Sequence, residues 1–364
     1  MKKIFQKLFP QKFGSFWKKL KKNKNLDKDL IFITNKFIDS KSYLHVSNQW
    51  HIYNIFHYKT LLKNKLKNLG TTVFSHYFNF FSYNDEFIKN LYKNIKAEKV
   101  FKIKTNILKK HKNLKLSDSV SYNYLLLLLF ENLKKSSYFK FLRLLKDKSY
   151  LNFGNPFINI DGFNITSDKI ISLFDLENIE KFSKIDKSRV LEIGAGSGRT
   201  SECILSIKKC LSYTICDIPA AIYISYKRLK LAFPNKKISL LIYIEDPIVL
   251  NKKILENDIS FIFPHQMEKI KNKFFDITIA IDCFHEMNKD TLKNYFDNIS
   301  SISDKIYFTI WKKTKNWFSG GILKKTERLH FDLGDYPIPS NWKMKLKNEL
   351  KFPAAFYGIG YNIK

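Results

Sequence analysis

Arginine, cysteine and glycine are all scarce in this chain of 364 residues, and each scarcity excludes something. Only five of the 64 basic residues are arginine. Proteins selected to grip phosphates usually use arginine forks as well as lysine. The formal net charge of +31 therefore reads as the bias of a coding sequence poor in G and C, and a nucleic-acid partner is disfavoured. Attraction to anionic surfaces still follows from the charge. The four cysteines, Cys203, Cys210, Cys216 and Cys283, form no C-x-x-C pair and have no histidine partner at zinc-ligand spacing, so a reduced chain is expected. Long apolar runs are missing too. The best candidate, Tyr124 to Phe130, is far shorter than the roughly 20 residues a bilayer requires. The N-terminus lacks the continuous apolar core and small-residue cleavage site of a signal peptide, and a cytoplasmic location is expected.

What is present is a globular composition, 45% apolar with 16% aromatic, and a length suited to about two domains. Residues 1–148 read as a mostly helical region. Within it, residues 1–22 place Ile4, Phe5, Leu8, Phe9, Phe13, Phe16, Trp17 and Leu20 at near-helical spacing among lysines, although Pro10 and Gly14 interrupt the pattern. Such a basic amphipathic segment suits either peripheral contact with the inner, anionic membrane face or packing on its own protein. Tyr122 to Leu145 has the clearest helical periodicity. His45, His51, His57 and His76 stand alone in aromatic-rich sequence and read as packing or surface residues. A helical partner domain commonly supplies an acceptor pocket and a lid.

Glycine's rarity makes one cluster conspicuous. Arg189 to Arg199 reads RVLEIGAGSGR, with Gly194, Gly196 and Gly198 spaced two apart after the apolar run Val190, Leu191 and Ile193. The run predicts a buried parallel strand, and the glycines allow a tight turn and close backbone approach to a bulky ligand. A dinucleotide site would place its third glycine one residue later, where Arg199 stands, so the spacing argues against NAD. A glycine-rich turn without a ligand is the bland alternative. With Glu192, the E-x-G-x-G-x-G spacing resembles motif I of class I S-adenosylmethionine methyltransferases. That resemblance implies that Glu192, Gly194, Ala195, Gly196, Gly198 and Arg199 line the cofactor.

The run Tyr213 to Cys216 ends in Asp217, and an acid at a strand's C-terminal edge suits a ribose diol, because a carboxylate accepts from both hydroxyls at once. Asp217 with Ile218 and Pro219 would open the next helix equally well. Asn152 to Phe157, NFGNPF, marks the boundary before residues 149–364 settle into alternation. Thr166 or Ser167 is predicted to cap a helix through about Phe182. The periodicity predicts strand 189–193, helix 199–208, strand 213–217, helix 220–232, then strands near 238–244, 259–263, 275–281 and 305–310. Trp342 to Leu346 and Ala355 to Ile363 fit a closing antiparallel hairpin. Alternation of this kind predicts a parallel sheet wound on both faces. Gln266, with a donor and an acceptor, could meet an adenine edge after the strand at 259–263; with His265 it could equally form a surface turn.

Asp276 to Met287, DITIAIDCFHEM, brings Asp282, His285 and Glu286 to the C-terminal edge of the fourth strand. A neutral histidine suits proton removal from an attacking hydroxyl, which makes His285 the candidate base, with Glu286 or Asp282 orienting it. The same three residues could instead cap the following helix or hold a divalent cation; the favoured reading has no metal. Cys283 raises a cysteine-nucleophile alternative on RNA, without the neighbouring proline such loops carry. NFGNPF, GAGSGR, the stretch Cys216 to Asn235, CFHEM and YPIPSNW at Tyr336 to Trp342 resemble a bacterial family of sugar O-methyltransferases over about residues 150–364. The resemblance implies a Rossmann-like class I methyltransferase fold and S-adenosyl-L-methionine as cofactor. It further implies a sugar hydroxyl as acceptor, on a sugar nucleotide or lipid-linked saccharide, in surface polysaccharide or glycolipid assembly. A nucleic-acid methyltransferase and an inactive cofactor-binding subunit are the alternatives.

Overall fold

A computed structural model describes residues 27–46, 48–63, 66, 69, 126–312, 333–352 and 356–363. The amphipathic segment 1–22 and His76 lie outside them. The helical N-terminal region shows α1 (Lys28–Asp39) and α2 (Asn48–Lys63), joined through a 3-10 turn at Ser42–His45. The Asp27 side chain starts α1 by accepting from the Asp29 amide at 2.8 Å. Leu30, Ile33 and Phe37 bury the inner stripe of α1, the pattern expected of an amphipathic helix. The periodicity that predicted one helix from Tyr122 to Leu145 is broken. A helical stretch over 126–133 ends, and Ser136 caps a separate 3-10 helix, Ser137–Leu144, by accepting from the Tyr138 amide. A serine offering its hydroxyl to a neighbouring backbone amide competes with helix continuation, which the apolar spacing alone does not reveal.

Beyond the short α3 (Asp147–Leu151), the hairpin β1 (Ile158–Ile160) and β2 (Phe163–Ile165) leads into α4 (Ser167–Phe182). Thr166 is its N-cap, as predicted, accepting from the Lys169 amide. The main sheet then alternates β3 (Arg189–Ile193), α5 (Arg199–Ile207), β4 (Ser212–Cys216), α6 (Pro219–Ala232), β5 (Ile238–Leu240), α7 (Pro247–Leu255), β6 (Ile259–Ile262), β7 (Ile277–Ala280), α8 (Lys289–Ile302) and β8 (Lys305–Trp311). It closes with β9 (Trp342–Glu349) and β10 (Phe356–Ile363). Strand order is β5-β6-β4-β3-β7-β8-β10-β9. Every neighbour from β5 to β8 is parallel, and β10 runs antiparallel to both β8 and β9. This is the doubly wound, Rossmann-like arrangement the sequence predicts. One strand is shorter than expected: the run at 238–244 gives only β5, because Leu241 to Ile244 turn away, with the Ile244 amide donating to the Leu241 carbonyl.

The inner strands β3, β4, β6 and β7 are buried on both faces. Val190, Tyr213, Ile215, Ile277 and Ile279 pack in one apolar cluster, and Leu191, Ile193, Cys216, Ile262 and Phe308 in the other. The chain moves from β3 outward through β4 and returns on the other side as β7, so the order reverses between β3 and its neighbours. A crevice opens at the carboxyl ends of strands at such a switch point. The loops after β3, β4, β6 and β7 all leave from that edge.

Candidate functional site

The loop after β3 has the glycines the sequence singled out, and the structure shows why two of them must be glycine. Gly194 and Gly198 adopt φ of +72° and +75°. A methyl group on Gly194 would lie 2.8 Å from the Cys283 Cβ, and one on Gly198 would lie 3.0 Å from the Ser225 Cβ of α6. The Gly194 amide donates to the Cys216 carbonyl and the Gly198 amide to that of Ala195, which closes the turn. Gly198 is also the N-cap of α5, with no side chain to satisfy the helix's first amides.

Asp217 follows β4 and binds the loop directly. Its Oδ2 accepts from the Gly196 amide at 2.9 Å and its Oδ1 from the Ile218 amide at 2.7 Å. The helix-cap alternative for Asp217 is not what the structure shows, because Ile218 is the N-cap of α6 and Pro219 its first residue. Burial raises the Asp217 carboxyl to about 7, although both amide donors pull it down.

Glu192 and Arg199 are placed beneath the loop. The Glu192 carboxylate, almost fully buried, accepts from the Ser201 hydroxyl of α5 and from the Tyr213 hydroxyl at 2.8 Å. Burial pushes its pKa up. The Arg199 guanidinium turns toward α4, pairing with Asp175 at 2.6 Å and donating to Ser172 at 3.2 Å. Both residues brace the strand-loop-helix turn from below. Gln266 requires a correction. It is completely buried, its amide nitrogen donates to the carbonyls of Leu241 and Ile244, and its oxygen accepts from the Phe263 amide. Both donor hydrogens are consumed in holding the turn after β5, so no donor remains for an adenine edge. His265, beside it, lies 3.2 Å from Glu245, and burial lowers its pKa.

The loop after β7 supplies the third wall. Asp282 has φ of +56°, a left-handed conformation that aspartate tolerates better than most residues and that marks local strain. It is held there by its amide donating to Thr309 Oγ1 and by the Trp311 indole donating to its Oδ1. His285 Nε2 lies 3.3 Å from Asp282 Oδ1, but off the direction of a hydrogen bond, and neither ring nitrogen has a hydrogen-bond partner. The imidazole instead stacks on Trp311, ring centroids 4.4 Å apart and planes 26° apart. Of the two carboxylates expected to orient His285, Asp282 is thus the close one. Burial lowers His285 to about 3, so it is neutral at physiological pH and a weak proton acceptor. Burial raises Asp282 to about 8, with 22% of its side chain still reachable by solvent, and raises half-buried Glu286 to about 8, helped by the Asp282 charge. The expectation that His285 is the base thus meets a lowered imidazole pKa, and the raised carboxyls beside it are the alternative candidates.

Cys283 is no nucleophile. Its thiol donates to the Ile193 carbonyl at 3.3 Å, and burial followed by the charges of Asp217, Glu286, Asp282 and Glu192 keeps it protonated. The charges of four carboxylates, from the ends of β3, β4 and β7, thus act on this one buried thiol. Among the described residues no three histidine, cysteine or acidic side chains are arranged to hold a metal ion, so the divalent-cation reading of Asp282, His285 and Glu286 has no ligand set.

No protein-family model matches the chain, and no curated protein matches it. Among solved structures, it is similar to a SAM dependent methyltransferase from Aquifex aeolicus, at 13% identity over 53% of this chain and 92% of that one, with a TM-score of 0.35. It is also similar to a protein of Pyrococcus horikoshii OT3, at 14% identity over 52% of this chain and 90% of that one, TM-score 0.34. A Thermoplasma acidophilum protein matches at 13% identity over 54% and 89%, TM-score 0.31.

Proposed function

We propose that the protein is an S-adenosylmethionine-dependent O-methyltransferase whose acceptor is a sugar hydroxyl. The observation that carries the donor half is the ring of acids at the switch point. Asp217, Asp282 and Glu286 have carboxyls raised to about 7, 8 and 8, beside a glycine turn whose Gly196 amide is fastened to Asp217. A positive charge placed beside such carboxylates offsets the desolvation that raises them, so the crevice suits a cation. A sulfonium donor has that charge, together with a ribose diol for Asp217 and an amino-acid carboxylate for the uncapped start of α5. When bound, the donor supplies an electrophilic methyl group on sulfur.

The chain's own groups do the remaining work. Asp217 holds the diol while Gly194 and Gly198 keep the turn tight enough to leave the crevice open. Glu192 and Arg199 act from beneath, fixing the turn through Ser201, Tyr213 and Asp175. As the acceptor oxygen attacks, its proton passes to the carboxylate of Asp282 or Glu286. Their pKa of about 8 lies near the operating pH, where general-base efficiency is best. Neutral His285, packed on Trp311, presents an unpaired ring nitrogen that can orient the hydroxyl. The sugar assignment is supported by the resemblance carried by NFGNPF, GAGSGR, the stretch from Cys216 and CFHEM, and surface polysaccharide or glycolipid assembly is the setting it implies.

The test is incubation of purified protein with labelled methyl donor against sugar nucleotides, lipid-linked saccharides and RNA. Label is expected in a saccharide, and Asp282→Asn should reduce turnover at saturating donor by about 100-fold or more. Label in RNA alone would refute the acceptor. Saturable donor binding without transfer to any acceptor class would favour the inactive-subunit alternative.

A further inference from the structure

Among the described residues, Arg228 on α6 is an unusually heavily engaged ionic group outside the acids of the crevice. It is completely buried, in a protein that has only five arginines. Each part of its fork serves a different element. Nε donates to Glu202 of α5 at 2.6 Å, Nη2 to Asp168 of α4 at 2.9 Å, and Nη1 to the Ser197 hydroxyl at 3.3 Å, inside the glycine turn itself. The guanidinium also lies over the Tyr150 ring of α3, 4.3 Å from the ring centroid. The two acids are themselves anchored. Asp168 accepts from Asn155 and from Thr166, and Glu202 accepts from Ser149 of α3. Burial works against the arginine's charge, and Glu202 and Asp168 more than restore it.

We propose that Arg228 is a positioning residue that sets the glycine turn for the donor by tying Ser197 to α3, α4 and α5 through one guanidinium. This inference rests on the donor reading above. Its physical basis is geometric. A planar fork with fixed donor directions can serve three partners from three elements, whereas a lysine ammonium in the same space is a point charge that keeps the acids company without holding the hydroxyl. The stretches NFGNPF, GAGSGR and CDIPAAIYISYKRLK, far apart in sequence, contribute Asn155, Ser197 and Arg228 to this one network. A residue that served the core alone would have no reason to reach into the turn.

The measurement is calorimetric titration of the full chain with S-adenosylmethionine, beside urea unfolding, for wild type, Arg228→Lys, Ser197→Ala and the double variant. Ser197→Ala removes the turn's end of the contact and leaves both ion pairs, so it keeps the test usable if Arg228→Lys folds poorly. Each single variant should weaken donor binding by about tenfold, equivalent to about 1.4 kcal/mol, and the double variant by no more than Arg228→Lys alone. KM for the donor should rise with kcat nearly unchanged. Variants that lose stability yet bind the donor as tightly as wild type would overturn the positioning role. Independent, multiplying losses in the double variant would overturn it too. Wild-type protein that takes up no donor would sink the donor reading, and this inference with it.

Discussion

Asp217 offers the sharpest test of the site, because its proton and the donor compete for the same carboxylate. Burial holds it at about 7 in the free protein, and a ribose diol together with a nearby positive sulfur both favour the ionised form. If only that form receives the donor, the group is about one-tenth ionised at pH 6 and about nine-tenths at pH 8, so affinity should rise about tenfold across that interval. Asp282 and Glu286, at about 8, steepen the rise and extend it upward. The sign for stability is opposite. The folded value of Asp217 lies above the ordinary carboxylate value of about 3.9. The folded chain therefore binds the extra proton between the two, and the contribution to stability is greatest at low pH and lost as pH rises through about 7. The ceiling on that loss is about 4 kcal/mol, three units at about 1.36 each. Stabilisation by the donor should then be larger at pH 8 than at pH 6, and binding at pH 7 should release about half a proton from this group. Titration calorimetry in buffers of different ionisation enthalpy reads that proton, with Asp217→Asn as the control that flattens the slope. S-adenosylhomocysteine, which lacks the charge on sulfur, should show a shallower rise. Affinity for the donor that is flat between pH 6 and pH 8, with no proton released, would refute the placement of the diol on Asp217.

Two further expectations concern residues whose roles the structure redefines. Gln266→Ala should cost roughly 2 to 4 kcal/mol in urea unfolding, because it strands the carbonyls of Leu241 and Ile244 and the Phe263 amide. Its effect on donor affinity in the folded fraction should be small, and a large loss of affinity at unchanged stability would restore the adenine contact. Gly194→Ala should lower the melting temperature by more than Gly162→Ala. Both positions have positive φ, but a methyl at Gly162 meets nothing within 4 Å, whereas one at Gly194 meets Cys283 at 2.8 Å. Equal shifts would mean that backbone strain alone, about 1 kcal/mol or more, explains the glycine.

The sheet was legible because each of its parts leaves a local mark. A β-branched run, a glycine turn and a threonine cap are short-range patterns, and they placed β3, α5, β4 and α4 to within a residue or two. The crevice was legible for the same reason, since a doubly wound order puts every strand's carboxyl end on one edge. What the sequence could not show is where a polar side chain spends its hydrogen bonds. Gln266 has the right chemistry for an adenine and spends it on Leu241 and Ile244, which come near only through the fold. His285 stands beside Glu286 in sequence, yet it stacks on Trp311 and comes close to Asp282, 26 and three positions away. Arg228 carried no signal beyond arginine's rarity: a lone arginine among the lysines of α6 was the one clue that a forked donor was needed there.

The acids around Cys283 are hard to explain as a device for stability. Buried carboxylates raised to about 7 and 8 weaken the folded state as they ionise near neutral pH, and a core of similar volume could be built from apolar residues at no such cost. Arg199 is the cation nearest to offsetting them, since its charge acts on both Glu192 and Asp282, but its guanidinium is committed to Asp175 on the far side of the turn. Sequences in which local choices conflict with stability tend to do so at functional sites. Here the conflict also has a direction. On the proposed donor reading, carboxyls that ionise when a positive group arrives would favour a cation over a neutral or phosphorylated ligand. Under that reading the crevice would differ from a dinucleotide site independently of the glycine spacing. The two observations rest on different residues, Arg199 in the turn and Asp217, Asp282 and Glu286 around it, and they lead to the same class of ligand.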